Sequence, residues 1–283
     1  MYPLPPNRNL TMTNPLRAIL IASALATSFG ASSAQASVIT VTAADMGPGL
    51  NTWNVANVRE NSSAAITNAA PRSGNGSVEM TLANGSGKAD YAYSWGFASG
   101  RTLGTLDALS YDWLRSSGGT ATAHLQPALR LSYDADGDSA TTADRGYLVW
   151  EQAYNGGGLV EDRWTTSDIL GGNFWMRQFS PGNTVENYDT SLAEWIAGPR
   201  PGAPADQLGA NTAILGIEFG IGSGWNGSFT GFVDQVTIGF KGQGATTWNF
   251  ETRGSSEVPE PGSLALLGLG VVAAAAARRR RRA

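Results

Sequence analysis

The chain has 283 residues, with 19 Lys and Arg, 23 Asp and Glu, a single His and no Cys. The missing cysteines exclude disulfides and zinc sites of the Cys or Cys/His type, and one histidine excludes a histidine-rich metal centre. Seven of the basic residues lie near the two ends, so Ser37 to Glu257 holds 22 acidic against 12 basic residues, a net of −10. That balance speaks against nucleic acid as a partner, because such binding rests on Lys and Arg neutralising phosphates.

At the start, Arg8 and Arg17 are the only charges before Asp45. An apolar run, Ala18 to Ala26, follows, and Ala34-Gln35-Ala36 offers small residues at the spacing of a cleavage site. The pattern predicts a secretory signal peptide over 1–36, cut before Ser37, and therefore passage through the Sec machinery. Met12 gives a more usual length to the basic region than Met1 does, and both are open as the start. The exported body is then 37–257, a length that suits one β-sandwich domain.

Along the body, short apolar-aromatic runs alternate with Gly, Asn, Ser and Asp clusters. The predicted strands are Trp53–Val58, Ser77–Leu82, Tyr91–Phe97, Leu109–Leu114, His124–Tyr133, Tyr147–Tyr154, Phe174–Phe179, Ile214–Ile221, Phe229–Phe240 and Thr246–Phe250. Leu125, Leu129, Leu131 and Tyr133 share one parity, the mark of a half-buried strand. One short helix is expected at Ser191–Ile196, where Ser191 and Glu194 have capping-box spacing. Pro199 to Pro204 reads as an extended surface loop. Ten strands and almost no helix predict an all-β fold, a jelly-roll β-sandwich.

Few side chains carry recognisable chemistry. His124 falls within a predicted strand, with no G-x-S-x-G or other nucleophile motif to serve. Asp134, Asp136 and Asp138 crowd three carboxylates into five residues, but the EF-hand pattern fails: Ser139 takes the glycine position and Arg145 that of the bidentate Glu. An acidic hairpin turn and a weak calcium site are the two readings of that cluster. Glu151, Glu161, Asp162 and Glu218 are candidate partners for glycoside hydrolysis, though the sequence gives them no separation. All nine tryptophans lie in the body. Trp225, within Gly222-Ser223-Gly224-Trp225-Asn226-Gly227, is the candidate aromatic platform for a sugar, because its glycines predict a loop. Trp113, Trp150 and Trp175 are assigned to the core.

The run Gly231-Phe232-Val233-Asp234-Gln235-Val236-Thr237-Ile238 resembles the closing strand of carbohydrate-binding jelly rolls. That resemblance implies a structural calcium held in part by Asp234; the plain reading makes Asp234 a solvated residue beside core positions Phe232, Val236 and Ile238. The chain then ends in three separable parts: Val258, Pro259, Glu260 and Pro261; fourteen residues from Leu264 to Ala277 with no polar side chain; and Arg278, Arg279, Arg280, Arg281 and Arg282. The prolines hold Glu260 extended and exposed. As a helix the apolar part spans roughly 21 Å, short of the ~30 Å hydrocarbon core, and the arginines hold the end on the cytoplasmic side.

This order resembles the PEP-CTERM sorting signal of proteins exported by Gram-negative bacteria. The resemblance implies recognition of 258–283 by an exosortase, transient contact of the apolar helix with the inner membrane, and delivery to the envelope, the surface or an extracellular polysaccharide matrix. Two functions are thus expected of the body: a non-enzymatic matrix protein associated with exopolysaccharide, or an extracellular glycan-degrading enzyme on a jelly roll. The absence of an acid/base signature favours the first.

Overall fold

The computed structural model describes residues 36–180, 185–186, 188–198 and 208–254. Most of the expected signal peptide, the loop at Pro199–Pro204 and the C-terminal signal lie outside the described residues.

Among the described residues, fourteen strands form two sheets of seven. They are β1 (Ser37–Val41), β2 (Trp53–Arg59), β3 (Ser62–Thr67), β4 (Ser77–Leu82), β5 (Lys88–Ser94), β6 (Leu106–Arg115), β7 (Ala128–Asp134), β8 (Arg145–Trp150), β9 (Thr165–Asp168), β10 (Phe174–Gln178), β11 (Val185–Glu186), β12 (Ala213–Gly222), β13 (Phe229–Phe240) and β14 (Gly244–Phe250). Eight of them alternate between the sheets in jelly-roll order, β4-β13-β6-β9 facing β5-β12-β7-β8. β3 extends the first set beside β4, β14 pairs along the second half of β13, and β1 pairs with β14 beyond it. β10 and β11 extend the second set at one edge and β2 at the other. Only the β1–β14 pairing is parallel among those described.

The alternation of side chains builds the core. Phe174, Met176 and Gln178 of β10 are buried while Trp175 and Arg177 face the other way. Between the sheets, Trp53 meets Phe219, Trp248 and Phe250 with ring centroids 5.1–5.4 Å apart. Such aromatic pairs add about 0.5–1.5 kcal/mol each beyond the area they bury. One bulge keeps this core continuous. Gln235 adopts φ 51° and inserts one extra residue against β6 between Asp234 and Thr237. Val233 before the bulge and Val236 after it can therefore both point inward, which strict alternation would forbid.

The predicted helix forms as α1 (Leu192–Ala197), and the Ser191–Glu194 capping box is complete. Two strand boundaries differ from the sequence reading by four residues and the others by three or fewer, as where the expected Tyr91–Phe97 is Lys88–Ser94. His124 lies on an exposed turn before β7, because Pro127 has no N–H for the ladder and Arg115 draws the carbonyls of Ala121, Thr122 and Leu125 to its guanidinium. The strand expected to run to Tyr154 stops at Trp150, and Gln152–Tyr154 is a 3-10 turn. The strands without a sequence signal are β1, β3, β9 and β11, short pieces at sheet edges.

Candidate functional site, a groove on the outer face of one sheet

The outward side chains of the β2–β5–β12–β7–β8–β10 sheet enclose a groove of about 400 Å³. Its floor begins with the sequence of β12. Glu218 points outward between Gly216 and Gly220, and both glycines are required by close approach. A Cβ at Gly220 would lie 2.0 Å from Asp90 Oδ1 and 2.9 Å from Arg130 Nη1. The bare backbone leaves room for an ion network that draws on three neighbouring strands.

Arg130 of β7 is the hub. Its Nη1 donates to Asp90 Oδ1 of β5 at 2.7 Å and to Glu218 Oε1 at 2.5 Å. Lys88 Nζ lies 2.6 Å from Asp90 Oδ2, which also accepts from Asn57 Nδ2 at 2.8 Å. The Tyr147 hydroxyl donates to Glu218 Oε2 at 3.2 Å. Burial disfavours the charge on Arg130, but Glu218 and Asp90 more than offset it, so its pKa rises above the ordinary arginine value. Burial, with the Glu218 charge, raises the Tyr147 pKa and keeps its hydroxyl a donor. The floor is therefore fixed before any ligand arrives.

Aromatic rings continue the groove. Trp175, half-buried, donates through Nε1 to Glu151 Oε2 at 3.0 Å. Its ring lies 5.6 Å from Tyr188, and Tyr188 lies 4.7 Å from Tyr154. Tyr154 and Tyr188 are 41% and 43% exposed, so the three rings form a strip that leaves the groove towards solvent. A second pair, Tyr147 and Phe179, stands edge-to-face at 4.9 Å. Burial pushes the Glu151 carboxyl up, against the Trp175 bond and the charges of Arg130 and His124.

The predicted site residues fall at several places. Trp225 does line the groove, yet it is only 9% exposed and its ring packs edge-to-face on Phe229 at 5.1 Å. Trp113 and Trp150 are core, whereas Trp175 is not: its parity on β10 turns it outward. Of the four candidate carboxylates, Glu151 lines the groove and Glu218 lies beneath its floor, bound to Arg130 and Tyr147. Glu161 instead pairs with Arg115 at 3.0 Å and Asp162 accepts from the Ser117 N–H, both outside it. Ala36 is exposed beside β1; Ala34, the Val258–Pro261 motif and Arg278–Arg282 lie outside the described residues.

Asp134 and Asp136 come together with Asp144, which the sequence reading did not single out, in the β7–β8 hairpin; Asp138 is not part of that trio. Asp134 is bound by Arg145 Nε at 2.8 Å and by the Gly137 N–H at 3.0 Å. Asp136 accepts the Asp138 N–H at 2.7 Å. These are the bonds of a self-closed acidic turn.

Asp234 is different. It is fully buried on the outer side of β13, under the loop that carries Arg72 and Ser73. Its Oδ1 accepts the Phe250 N–H at 2.8 Å, while Oδ2 has no hydrogen-bond partner among the described residues. Across the ladder stands Asp112, whose charge Arg72 answers at 2.7 Å. Burial pushes the Asp234 pKa up to about 7, against its backbone N–H bonds, and the nearby Glu251 charge adds to the rise. A buried, orphaned carboxylate oxygen suits a hard cation such as calcium.

Sequence reasoning missed Arg130, Asp90, Tyr188 and Tyr154. The available signals were the outward parity of Trp175 and Arg177 on β10 and the Gly-Ile-Glu-Phe-Gly run of β12, which isolates one carboxylate between two glycines.

Comparison with known proteins gives two findings. Residues 257–282 match the PEP-CTERM protein-sorting motif, so the chain carries that motif at its C-terminus. Among solved structures, the fold is similar to a family 11 carbohydrate-binding module from a cellulosomal cellulase of Clostridium thermocellum, at 15% identity and a TM-score of 0.37, over 69% of this chain and 91% of that one. It is also similar to part of a β-1,2-glucanase from Parabacteroides distasonis, at 11% identity and a TM-score of 0.34, over 66% of this chain and 22% of that one. No curated protein sequence matches the chain.

Proposed function

We propose, for a chain that ends in a PEP-CTERM protein-sorting motif, that the exported sandwich is a non-enzymatic surface or matrix protein that holds extracellular polysaccharide along the groove. The observation that carries the reading is the Trp175–Tyr188–Tyr154 strip, continuous with a groove whose polar floor is already fixed. Flat rings cover the apolar faces of sugar rings, while fixed polar groups orient hydroxyls. Glu218 is bound to Arg130 and Tyr147, and Glu151 to Trp175, which suits positioning better than proton transfer. A glycan array probed with the full-length chain tests the reading. Specific retention supports it; release of shortened sugars would replace it with the glycan-degrading enzyme, with Glu151 as the carboxylate that lines the groove.

The sorting step is tested separately. Glu260 stands between two prolines, a sequence that a receptor can read, so Glu260→Ala should leave the body folded and the protein uncut in the inner membrane. Replacing Arg278–Arg282 by Ser should instead loosen the orientation of the tail. Cell fractionation reads both, and normal release of the Glu260→Ala protein would remove the exosortase from the reading.

A structural calcium at Asp234, with Glu251 beside it, completes the proposal. Bound metal should stabilise the fold by about 2.7 kcal/mol at a hundredfold excess over Kd. A melting temperature indifferent to both calcium and EDTA would leave Asp234 to a proton.

A further inference from the structure

We infer that the groove, if it is the polysaccharide site proposed above, selects acidic glycans of the polyuronate class over neutral ones. The observation is a reversal of charge. The body from Ser37 to Glu257 has a net charge of −10 and only 12 cations, yet four of them, Arg59, Lys88, Arg130 and Arg177, line this one groove. The only lining carboxylate is Glu151, held by Trp175.

The arrangement is layered. Asp90 and Glu218 balance Lys88 and Arg130 from beneath, and their side chains are 0% and 7% exposed against 15% and 10% for the two cations. Their oxygens are turned to Lys88, Arg130, Asn57 and Tyr147, so both carboxylates lie below the floor and offset two of the four lining cations, which keep their N–H groups towards the groove. Arg59 is exposed and has no carboxylate within ion-pair distance among the described residues. A bulge in β2, with Asn57 at φ 53°, sets it beside Lys88.

Arg59 on β2 and Arg177 on β10 stand five strand spacings apart, with β5, β12, β7 and β8 between them. At about 4.8 Å per spacing that is roughly 24 Å across the sheet, a span for a polymer that crosses the strands. A cationic cleft within an acidic surface concentrates field and attracts anionic chains. Arginine meets a carboxylate with two parallel N–H bonds, and a neutral sugar offers nothing to match them. Repeating carboxylates on a chain whose ring faces stack on Trp175 and Tyr188 fit both features.

The test is native affinity electrophoresis of the full-length chain in gels that contain polygalacturonate, its methyl ester, neutral mixed-linkage β-glucan or linear polyphosphate. The expected result is retention by polygalacturonate at least tenfold tighter than by its methyl ester, weakened by salt. The Arg59→Gln/Arg177→Gln variant, with an unchanged melting temperature, should bind the acid no better than wild type binds the ester. Trp175→Ala should also lose retention on polygalacturonate. Ester or neutral glucan bound as tightly as the acid would overturn acid selection and leave the polysaccharide reading standing. Polyphosphate retained as strongly, and indifferent to Trp175→Ala, would reduce the effect to ion exchange and overturn it. No retention by any polymer would overturn both readings.

Discussion

The two outer faces of the sandwich obey the same alternation and are built from different chemistry. On the β13 sheet, short polar side chains pair across neighbouring strands: Ser63 with Thr81, Thr237 with Thr247 and Gln235 with Asn249, each at 2.7 Å. On the β12 sheet, one arginine gathers carboxylates from two other strands and aromatic rings stand half in solvent beside it. Apart from the sealed Asp234, the first face closes these hydrogen bonds pair by pair. The second fixes its buried charges at the floor and keeps large apolar rings uncovered, the state of a surface prepared for a partner. Hydroxyl ladders finish a sheet, whereas buried ions beneath exposed rings prepare one.

Arg130→Met is the harshest test of that contrast. It leaves Glu218 buried without a cation and Asp90 with Lys88 alone, and breaking a pair so deep costs about 3–5 kcal/mol. Urea titration should show the loss, and a variant as stable as wild type would mean that the floor is not held by its charges.

Asp234→Asn comes next and tests a buried carboxylate that the quieter sheet leaves with an orphaned oxygen. The folded pKa of Asp234, about 7, exceeds its unfolded value near 3.8. Its neutral form therefore stabilises the fold fully below pH 4, and that contribution is lost as pH rises through 7. With EDTA present, the amide should match wild type near pH 4 and exceed it by a few kcal/mol at pH 8. Identical pH profiles for the two proteins would refute the shift.

Trp175→Ala acts on binding alone. Losing one ring of the strip should weaken glycan binding about tenfold, near 1.4 kcal/mol, with stability little changed because Trp175 sits on the surface. Unaltered affinity in calorimetry would move the site off the strip. The smallest effect belongs to Thr81→Val on the other sheet, which removes its bond to Ser63. Denaturant midpoints should shift by about 0.5 kcal/mol or less, with no change in glycan binding; a binding defect here would put the ligand on the wrong face.

Legibility followed the period of the side chains. β4 and β13 have the limits read from the sequence, Ser77–Leu82 and Phe229–Phe240: β4 alternates throughout, and β13 keeps Phe229 and Val233 on one parity before its bulge and Val236, Ile238 and Phe240 on the other after it. β3 and β9, Ser-Ser-Ala-Ala-Ile-Thr and Thr-Thr-Ser-Asp, carry no such signal and become strands because β4 and β6 offer them a free edge. The groove was harder to read. Arg130 looks like one polar position in an alternating strand, and Asp90 like the end of a glycine-rich turn. Their partnership spans 40 residues of sequence and exists only because β12 lies between their strands.

The sequence by itself determined the parts of this protein whose physics is local. The sorting motif is read in the order of its residues, proline stiffness, apolar length and terminal charge, and matches at 257–282. The capping box at Ser191 and Glu194 lies within one turn. The two-sheet class follows from a period of two repeated along the chain. Tertiary structure alone decided which outward positions meet: that Trp175 faces solvent and reaches Tyr188, that Lys88 and Arg130 share Asp90, and that Asp234 is sealed under the loop of Arg72. Pairing order in a jelly roll sets those contacts, and no local preference of the chain encodes which distant strand becomes a neighbour.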